Sequence, residues 1–372
     1  MMYIETEEKL YWYWLASVDG VGSATREKLF RYFRTAREVF SAEKELLLRA
    51  GIAEKAANAL RNTKYREKLC EEFHKMQERG IYFVTKQESS FPERLRNLPG
   101  APDWLFYRGR LPKEDMPSVA IIGARECSAY GKGVAEVFAS ELAGVGIQII
   151  SGMARGIDGH AQRAALTCGK SFAVLGSGVD VCYPMENFTL YEQLEEKGGI
   201  LSEYVPKTLP RAFHFPQRNR ILSGLADGVV VVEARQKSGT LITVECALAQ
   251  GKEVFAVPGR LGEPLSAGCN TLIRQGAHLV ESSRDILEVL WRGHPAAVNS
   301  QKKIKNKFFL EEAEKIVYAY LRLEPRHIEE LFYDMDFALP ELSQILFSME
   351  AKGIVYSPAQ GYYALCALKE EI

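Results

Sequence analysis

Glycine, serine and arginine residues recur at five places in the middle third of this sequence, and their spacing indicates phosphate binding. Four of these segments directly follow a short apolar run typical of a strand, and three open a helical pattern. Open α/β sheets bind ligands at the carboxyl ends of their strands, where helix N-termini offer backbone N–H groups. A row of phosphates along one sheet edge is therefore the expected ligand. The segments are 123–131, 151–158, 213–220, 238–243 and 257–259.

The first segment combines a turn, a cation and a helix start. Gly123 allows a turn directly after an apolar run, Arg125 projects a guanidinium group from it, and Ser128 and Gly131 lie where a helix begins. Their hydroxyl, N–H and guanidinium groups can surround one phosphate. A tight turn alone needs no cation, so Arg125 favours a phosphate site over a purely structural turn.

The second segment places small residues around an arginine. Gly152 and Gly156 flank Arg155, and residues without bulky side chains allow a phosphate to approach the backbone closely. Asp158 can act as a general base, but next to a helix start it is expected to cap backbone N–H groups. His160 follows in the first helical turn, where a surface or packing role is expected.

The third segment alternates aromatic rings and cations. The aromatic run 213–215, which ends in Phe215, precedes Arg218, Asn219 and Arg220. Rings stack on unpaired bases while arginines hold the nucleic-acid backbone, so the pattern favours a single strand. A hydrophobic loop that closes the sheet edge is the alternative interpretation.

The fourth segment consists of Ser238, Gly239 and Thr240, which follow an apolar run and open a helix. Successive N–H groups at such a start form an anion-binding nest. Arg235 and Lys237 come just before it and add positive charge. The segment therefore predicts another phosphate contact.

Several other chemistries are disfavoured. The sequence has neither a Walker loop nor a Gly-x-Gly-x-x-Gly motif, which argues against NTP hydrolysis and dinucleotide binding. Its seven cysteines are scattered, with no Cys-x-x-Cys pair and no histidines at zinc spacing. We therefore expect no metal site, no cofactor and no disulfide.

Overall charge says little about the partner. The 372 residues include 47 basic and 48 acidic ones, for a net charge of −1, so a basic surface has to arise from local placement. Acidic residues 5, 7 and 8 precede any apolar run, which argues against a signal peptide. No apolar stretch approaches the ~20 residues of a membrane span. A cytoplasmic protein without a membrane partner is expected.

The positioning elements alternate between strand and helix, which predicts a doubly wound, Rossmann-like α/β fold with a mostly parallel sheet. Strands are expected at 81–85, 104–109, 119–122, 147–151, 171–175, 199–202, 228–232, 253–257 and 278–280. Helices are expected at 131–145, 157–168, 187–197, 218–225, 241–250, 270–275 and 283–291.

Four segments of different character follow one another. Residues 1–78 predict a small all-α, helix-hairpin-helix (SAM-like) domain, and 79–292 an extended Rossmann-like domain that binds single-stranded DNA. A basic linker is expected at 293–307, followed by a winged-helix domain at 308–372. The aromatic run 11–14 is expected in the core of the first domain.

The sequence allows more than one interpretation of what the two terminal domains bind. The Gly-containing turn at 18–22 either offers N–H groups to a DNA phosphate or serves plain helical packing. In the winged-helix pattern, the presumptive recognition helix 340–351 carries Glu341 and Glu350. Because carboxylates repel the DNA backbone, this helix is expected to contact protein rather than a DNA groove.

At the residues described above, the sequence resembles the DprA/Smf family of bacterial DNA-processing proteins. The resemblance covers about 80–290 in order and spacing, and also includes Tyr183, Pro184, Ser202, Glu203 and the 257–259 turn. It implies a homodimer that binds single-stranded DNA without sequence preference, protects incoming strands in natural transformation and loads the RecA recombinase. For self-association we expect an apolar edge formed by Leu272, Ile273, Leu279 and Val280.

The resemblance also assigns a DNA-binding pocket, with Lys170 as a neighbour. One position departs from the family pattern, because Gln162 stands where the family often has histidine, and His160 lies two residues earlier. The pocket residues that the resemblance implies are Arg125, Ser128, Gly152, Arg218, Asn219, Arg220, Ser238 and Gly239.

The rival interpretation is a nucleotide-processing enzyme, because the fold also resembles that of nucleotide phosphoribohydrolases. Aligning Gly239 and Thr240 with their motif puts Ile242 and Thr243 where those enzymes have acid/base glutamates. We therefore expect a protein that binds DNA and is not an enzyme. An enzyme would have to use another carboxylate, from Asp158, Glu203, Glu233 or Glu245.

Overall fold

The chain begins with a helical unit that shares its core with a central sheet. The structure is a computed structural model that describes residues 2–62, 68–291, 311–321, 325–335, 337–351 and 354–365. Its first helices are α1 (Met2–Ser17), α2 (Ser23–Tyr32), α3 (Ala36–Ser41), α4 (Lys44–Arg49), α5 (Glu54–Leu60) and α6 (Leu69–Glu78). None of the helices within the described ranges is long and apolar enough to cross a membrane.

The aromatic run 11–14 lies in the core of the helical unit, as predicted. Trp12, Tyr13 and Trp14 are buried, and Tyr13 packs edge-on against Phe83 and Phe106 of the neighbouring sheet. One hydrophobic core thus includes both the helical unit and the sheet. We propose that the boundary between the two domains lies between residues 78 and 79. Side chains from both domains pack together in this one core.

The central sheet has nine strands in the order β1-β2-β6-β5-β4-β3-β7-β8-β9. The seven strands from β3 to β9 are parallel to their neighbours among themselves, while β1 and β2 add an antiparallel edge next to β6. The predicted doubly wound, mostly parallel α/β sheet is confirmed. The strands are β1 (Tyr82–Thr85), β2 (Trp104–Gly109), β3 (Ser118–Ile122), β4 (Gln148–Ser151), β5 (Ser171–Val174), β6 (Gly199–Ser202), β7 (Gly228–Val231), β8 (Glu253–Ala256) and β9 (His278–Leu279).

Helices cover both faces of the sheet, which explains why its strands read as unbroken apolar runs. In β3, Val119 and Ile121 face one helical layer, while Ala120 and Ile122 face the other. The helices are α7 (Glu93–Arg96), α8 (Ala129–Gly144), α9 (Ile157–Cys168), α10 (Phe188–Lys197), α11 (His214–Gly224), α12 (Gly239–Ala249), α13 (Ala267–Arg274) and α14 (Ser283–Leu290).

The sheet has a topological switch point at β3. Strand β4 lies on one side of β3 and β7 on the other, so the loops that leave β3 and β7 diverge at their carboxyl ends. Open α/β folds bind ligands in the crevice at such a point. Residues from four of the five predicted phosphate-binding segments line the crevice at this point.

The C-terminal unit has the predicted winged-helix composition. Helices α15 (Glu312–Tyr320), α16 (Ile328–Asp334) and α17 (Leu339–Ala351) pack on a sheet in the order β10-β12-β11, formed by Arg326–His327, Tyr362–Leu365 and Val355–Ala359. These elements have a hydrophobic core of their own. The linker predicted at 293–307 lies outside the described residues, and we propose 308 as the start of this domain.

The predicted apolar edge for self-association is largely wrong. Leu272 and Val280 are buried in the cores on the two faces of the sheet, and Ile273 is half-buried. Leu279 is the one residue of the four that is exposed. The apolar pattern of this stretch reflects packing of α13 and α14 on the sheet rather than a free surface.

Candidate nucleic-acid interface

A cleft of about 360 Å³ opens at the switch point between β3 and β7. Its walls come from the loop after β3, the first turns of α9 and α11, and the loop that leads into α12. The predicted site residues that line it are Gly123, Arg125, Phe215, Arg218, Asn219, Ser238, Gly239 and Thr240. Eight of the fifteen predicted site residues therefore line one cleft, and they make up eight of its twenty lining residues.

Arg218 forms the floor of the cleft. Its side chain is buried, and Nη1 donates a hydrogen bond to the Val174 carbonyl oxygen at 2.6 Å. Burial lowers the pKa of Arg218 to about 10, a shift that the nearby Asp158 carboxylate opposes. The guanidinium therefore stays charged at neutral pH. Its Nε atom has no acceptor within the described residues, so this buried cation is incompletely satisfied by the protein.

Gly152 creates the space for that guanidinium. A Cβ atom on Gly152 would lie 2.1 Å from Arg218 Nη1, closer than atoms can approach. The glycine thus acts through packing and does not line the cleft itself. Small residues in the second segment make room for an arginine of the third, where the sequence analysis expected room for a phosphate.

Asp158 caps backbone N–H groups, as the sequence analysis expected. Its Oδ2 atom accepts a hydrogen bond from the Gly152 N–H at 3.1 Å, and the carboxylate also accepts one from Ala154. Burial raises the pKa of Asp158, while Arg218 and these hydrogen bonds lower it. The carboxylate is therefore held between the backbone and Arg218.

A row of one cation and two rings leads out of the cleft. The Arg125 guanidinium carbon lies 5.3 Å from the centroid of the Phe215 ring. The Phe215 ring lies 5.8 Å from that of Tyr183, which is 44% exposed. Rings of this kind accept stacked bases, and the arginine beside them can hold a phosphate. Tyr183 was not among the predicted site residues, although it belongs to a motif of the resemblance.

The loop into α12 contributes hydroxyl groups and cations. Ser238 caps α12 by accepting a hydrogen bond from the Thr240 N–H, and Thr240 Oγ1 donates one to the Gly123 carbonyl oxygen at 3.2 Å. Arg235 and Lys237, which the prediction left outside the site, are exposed and line the cleft. Their position directly before a helix N-cap is the sequence signal that identifies them.

Positive charge exceeds negative charge around the cleft. Four cations line it, Arg125, Arg218, Arg235 and Lys237, against the two carboxylates Glu126 and Asp158. The protein as a whole carries a net charge of −1. The cleft is therefore a local basic site on an overall balanced surface, suited to an anionic ligand.

Ser128 binds an internal carboxylate and Gly131 leaves room for it, at the place where the sequence pattern predicts a phosphate. The backbone N–H and the hydroxyl of Ser128 both donate to Glu233, which is almost fully buried at the end of β7. A Cβ on Gly131 would lie 2.3 Å from that carboxyl group. Glu233 thus occupies the anion position at the N-terminus of α8, and neither predicted residue lines the cleft.

Gly156 and Arg155 also lie outside the cleft walls. Gly156 has φ = 70°, and a Cβ there would lie 2.2 Å from the Ala124 carbonyl oxygen, so this position requires glycine for the close approach of two loops. Arg155 is exposed and forms an ion pair with Glu186. The charge of Arg155 is directed toward the neighbouring loop.

Lys170 and Arg220 are placed differently from the prediction. Lys170 precedes β5, so it lies at the amino end of the strand, on the sheet edge opposite the cleft. Arg220 turns away from the cleft and forms an ion pair with Glu203. The prediction failed for Lys170 because a residue before a strand and a residue after it lie at opposite edges.

Carboxylates suited to hydrolysis are not gathered in the cleft. Glu203 is paired with arginines, and Glu233 is held by Ser128. Ile242 and Thr243 line the cleft at the positions where the rival enzymes have glutamates. Among the described residues that line the cleft, Asp158 is the one candidate carboxylate from the sequence analysis.

Comparison with known proteins identifies relatives of this chain. The sequence profile of the family described as DNA recombination-mediator protein A matches residues 82–291, more than half of the chain. The DNA processing protein DprA of Streptococcus pneumoniae is 44% identical over 201 residues, which cover 54% of this chain and 71% of that protein.

Solved structures agree with the sequence match. The crystal structure of DNA processing protein A from Streptococcus pneumoniae superposes with a TM-score of 0.65 at 34% identity, covering 76% of this chain and 98% of that one. DNA processing protein A from Helicobacter pylori, whose structure is described as showing a single-stranded DNA binding mode, superposes with a TM-score of 0.52 at 31% identity. This superposition covers 56% of this chain and 95% of the Helicobacter pylori chain.

The profile match spans the strands, the switch point and the cleft, and both solved structures have the same fold. The resemblance stated from the sequence motifs is thereby confirmed. The chain belongs to the DNA recombination-mediator protein A family, the DprA/Smf family of DNA-processing proteins.

Proposed function

We propose that this protein binds single-stranded DNA without sequence preference, through the cleft between β3 and β7. The observation that carries the proposal is the row formed by Arg125, Phe215 and Tyr183 beside the buried Arg218. It offers cations to the phosphates, and the half-buried Phe215 ring and the exposed Tyr183 ring to the bases. Duplex DNA keeps its bases stacked on one another, so stacking rings favour a single strand.

The cations support binding through the phosphate backbone. Arg125, Arg235 and Lys237 are exposed at the rim, where strand phosphates can reach them, and Arg218 supplies charge from below. Contacts of this kind release condensed counterions, so affinity falls as salt rises. They carry no sequence information, which fits binding to strands of any sequence.

The size of the cleft supports a strand over a duplex. Its volume of about 360 Å³ is at the lower end for sites that enclose a small ligand, which suits one or two nucleotides. Beyond the cleft, Tyr183 extends the ring surface, so a longer strand keeps contact with the protein. The related Helicobacter pylori protein, described as binding single-stranded DNA, adds support.

Within the cell, we propose a recombination mediator that protects incoming strands during natural transformation and loads the RecA recombinase. The family description as a recombination mediator supports this role.

We further propose a cytoplasmic, non-enzymatic homodimer. The α17 side exposes Phe347 between Glu341 and Glu350, which suits a protein partner better than a DNA groove.

Fluorescence anisotropy tests the binding proposal directly. Labelled strands of about 20 nucleotides are titrated with the purified protein. The strands are composed of dT, of dA or of mixed sequence, and a labelled duplex of the same length is titrated in the same way. We expect similar affinity for the three single strands, weaker binding to the duplex and a steep loss of affinity with salt. Equal affinity for the duplex, or no dependence on salt, would overturn the proposal.

The rival enzyme and the mediator role need separate measurements. Incubation with nucleoside monophosphates separates a binding protein from a phosphoribohydrolase, because release of free base would establish the enzyme.

Strand exchange by RecA on strands coated with single-strand-binding protein tests whether this protein loads RecA. We expect exchange to start faster with this protein present, and an unchanged rate would contradict the mediator role.

A further inference from the structure

Four charged residues connect the helical unit to α11. Arg26 of α2 is almost fully buried, and its Nε and Nη2 atoms contact Asp103 Oδ2 at 2.6 Å and Glu203 Oε1 at 3.0 Å. The other oxygen of Glu203 contacts Arg220 of α11. One carboxylate thus binds two arginines, one from the helical unit and one from the helix that forms the cleft floor.

Further contacts hold Arg26 and Glu203 in place. The Arg26 guanidinium lies over the Trp104 ring at 4.4 Å, and Trp104 Nε1 donates a hydrogen bond to the Glu203 carbonyl oxygen at 3.0 Å. The side chains of Arg26 and Glu203 are only 9% and 13% exposed. Losing one partner of a buried ion pair leaves an unpaired charge in a low-dielectric environment, so separating Arg26 or Arg220 from Glu203 is strongly unfavourable.

Helix α11 presents Arg220 and the cleft residues on different sides. Residues two positions apart lie about 200° around a helix, so Arg220 points away from Arg218. A rotation of α11 that released Arg220 would therefore move Arg218 and Phe215. Both side chains lie close to a glycine, since a Cβ on Gly152 would be 2.1 Å from Arg218 Nη1 and a Cβ on Gly176 would be 2.9 Å from the Phe215 ring. A small rotation of α11 would therefore disturb how both side chains fit in the cleft.

We propose that Arg26 is a positioning residue for strand binding. The helical unit fixes the orientation of α11 through Arg26, Glu203 and Arg220, and thereby sets Arg218 and Phe215 in the cleft. It does so without contacting DNA itself. The inference rests on the proposed single-strand binding, and it gives the helical unit a role in affinity, independent of whether its Gly-containing turn touches a phosphate.

The test compares Arg26→Met with wild-type protein in the anisotropy titration with dT strands at several salt concentrations. We expect Arg26→Met to weaken binding roughly 3- to 30-fold, the range in which residues away from a site alter its affinity. The slope of affinity against salt should stay unchanged, because Arg26 contacts no phosphate. By contrast, a lost phosphate contact lowers the slope by about 0.7.

Lys9→Met is the matched control. Lys9 of α1 contacts Glu88, which follows β1, at 2.8 Å, so this ion pair joins the same two domains but does not reach α11. We expect wild-type affinity for Lys9→Met. Asp103→Asn provides a milder variant that keeps the Arg26 charge and removes one of its anchors, and it should weaken binding less than Arg26→Met with the same slope.

Three results would overturn the inference. They are wild-type affinity in Arg26→Met, a slope reduced by about 0.7 in that variant, and equal losses in Arg26→Met and Lys9→Met. If Arg26→Met does not fold, wild-type affinity in Glu203→Gln, which removes the charge that both arginines contact, overturns it. Wild-type protein that binds no strand would instead overturn the proposed function and this inference together.

Discussion

Gly152 lies against the Arg218 guanidinium so closely that no side chain fits between them; a Cβ at position 152 would lie 2.1 Å from Nη1. We predict that Gly152→Ala displaces Arg218 from the cleft floor. Overpacking of this kind costs about 1–3 kcal/mol of stability, and single-strand affinity should fall about tenfold or more. Chemical denaturation and anisotropy measure the two effects.

Gly239→Ala is the control for the stability measurement only, because Gly239 itself lines the cleft. A Cβ on Gly239 would meet no protein atom within 4 Å, and the residue opens α12. Its stability should therefore equal that of the wild type. A Gly152→Ala variant that binds strands as tightly as wild type would show that the position of Arg218 does not matter for binding.

Arg125→Ala should weaken binding to dT, dA and mixed strands alike. A hydrogen bond to a charged group contributes roughly 1.5–3 kcal/mol, which corresponds to about a 10- to 100-fold loss of affinity. The salt slope should fall by about 0.7 for one lost phosphate contact. Lys170→Ala, on the opposite sheet edge, should bind as wild type does; a comparable loss there would contradict the position assigned to the cleft.

Tyr183→Ala should weaken binding through the loss of one stacked base. Stacking of a base on an aromatic side chain contributes about 1–3 kcal/mol, so we expect a loss of at least about fivefold. Tyr183→Phe retains the ring and should retain the affinity. A strand in which every position is abasic should bind wild type and Tyr183→Ala equally, because it offers no base in any register; a loss of affinity that persists with this strand would exclude stacking at Tyr183.

Ser128→Ala should lower stability and leave strand affinity unchanged. The variant loses an N-cap of α8, which costs about 0.5–2 kcal/mol, and a hydroxyl donor to the buried Glu233 carboxylate. Urea denaturation measures the free energy of unfolding. If binding, measured well below the unfolding transition, fell as it does in Arg125→Ala, Ser128 would belong to the DNA site after all.

Sequence patterns predict the sheet and the edge at which the glycine-rich segments lie, because buried parallel strands are apolar on both faces and glycine-rich turns follow them. The strand order, and with it the switch point at β3, comes from the structure. The ends of α11 were less predictable. The pattern places Phe215 before the helix, while the structure begins the helix at His214. The helix therefore begins about one turn earlier than predicted and carries Phe215 in its first turn. Arg218 and Arg220 face different sides with either start, because residues two positions apart lie about 200° around a helix.

Contacts between residues far apart in the sequence explain the other differences between the predicted and the observed site. Ser128 and Gly131 have the types and spacing of a phosphate site, and only the fold reveals that Glu233, about a hundred positions later, supplies the anion. Tyr183 is likewise brought to Phe215 by tertiary structure. Local sequence indicates that a helix start can bind an anion; it does not indicate whether the protein provides one.

The core shared by the helical unit and the sheet limits how the protein can be shortened. A fragment beginning at β1 would expose Phe83, Trp104 and Phe106, which the helices now cover. Such a fragment would aggregate through these rings, and its apparent mass in solution would report the missing helices rather than a biological dimer. Measurements of self-association therefore require the chain with its N-terminal helices in place.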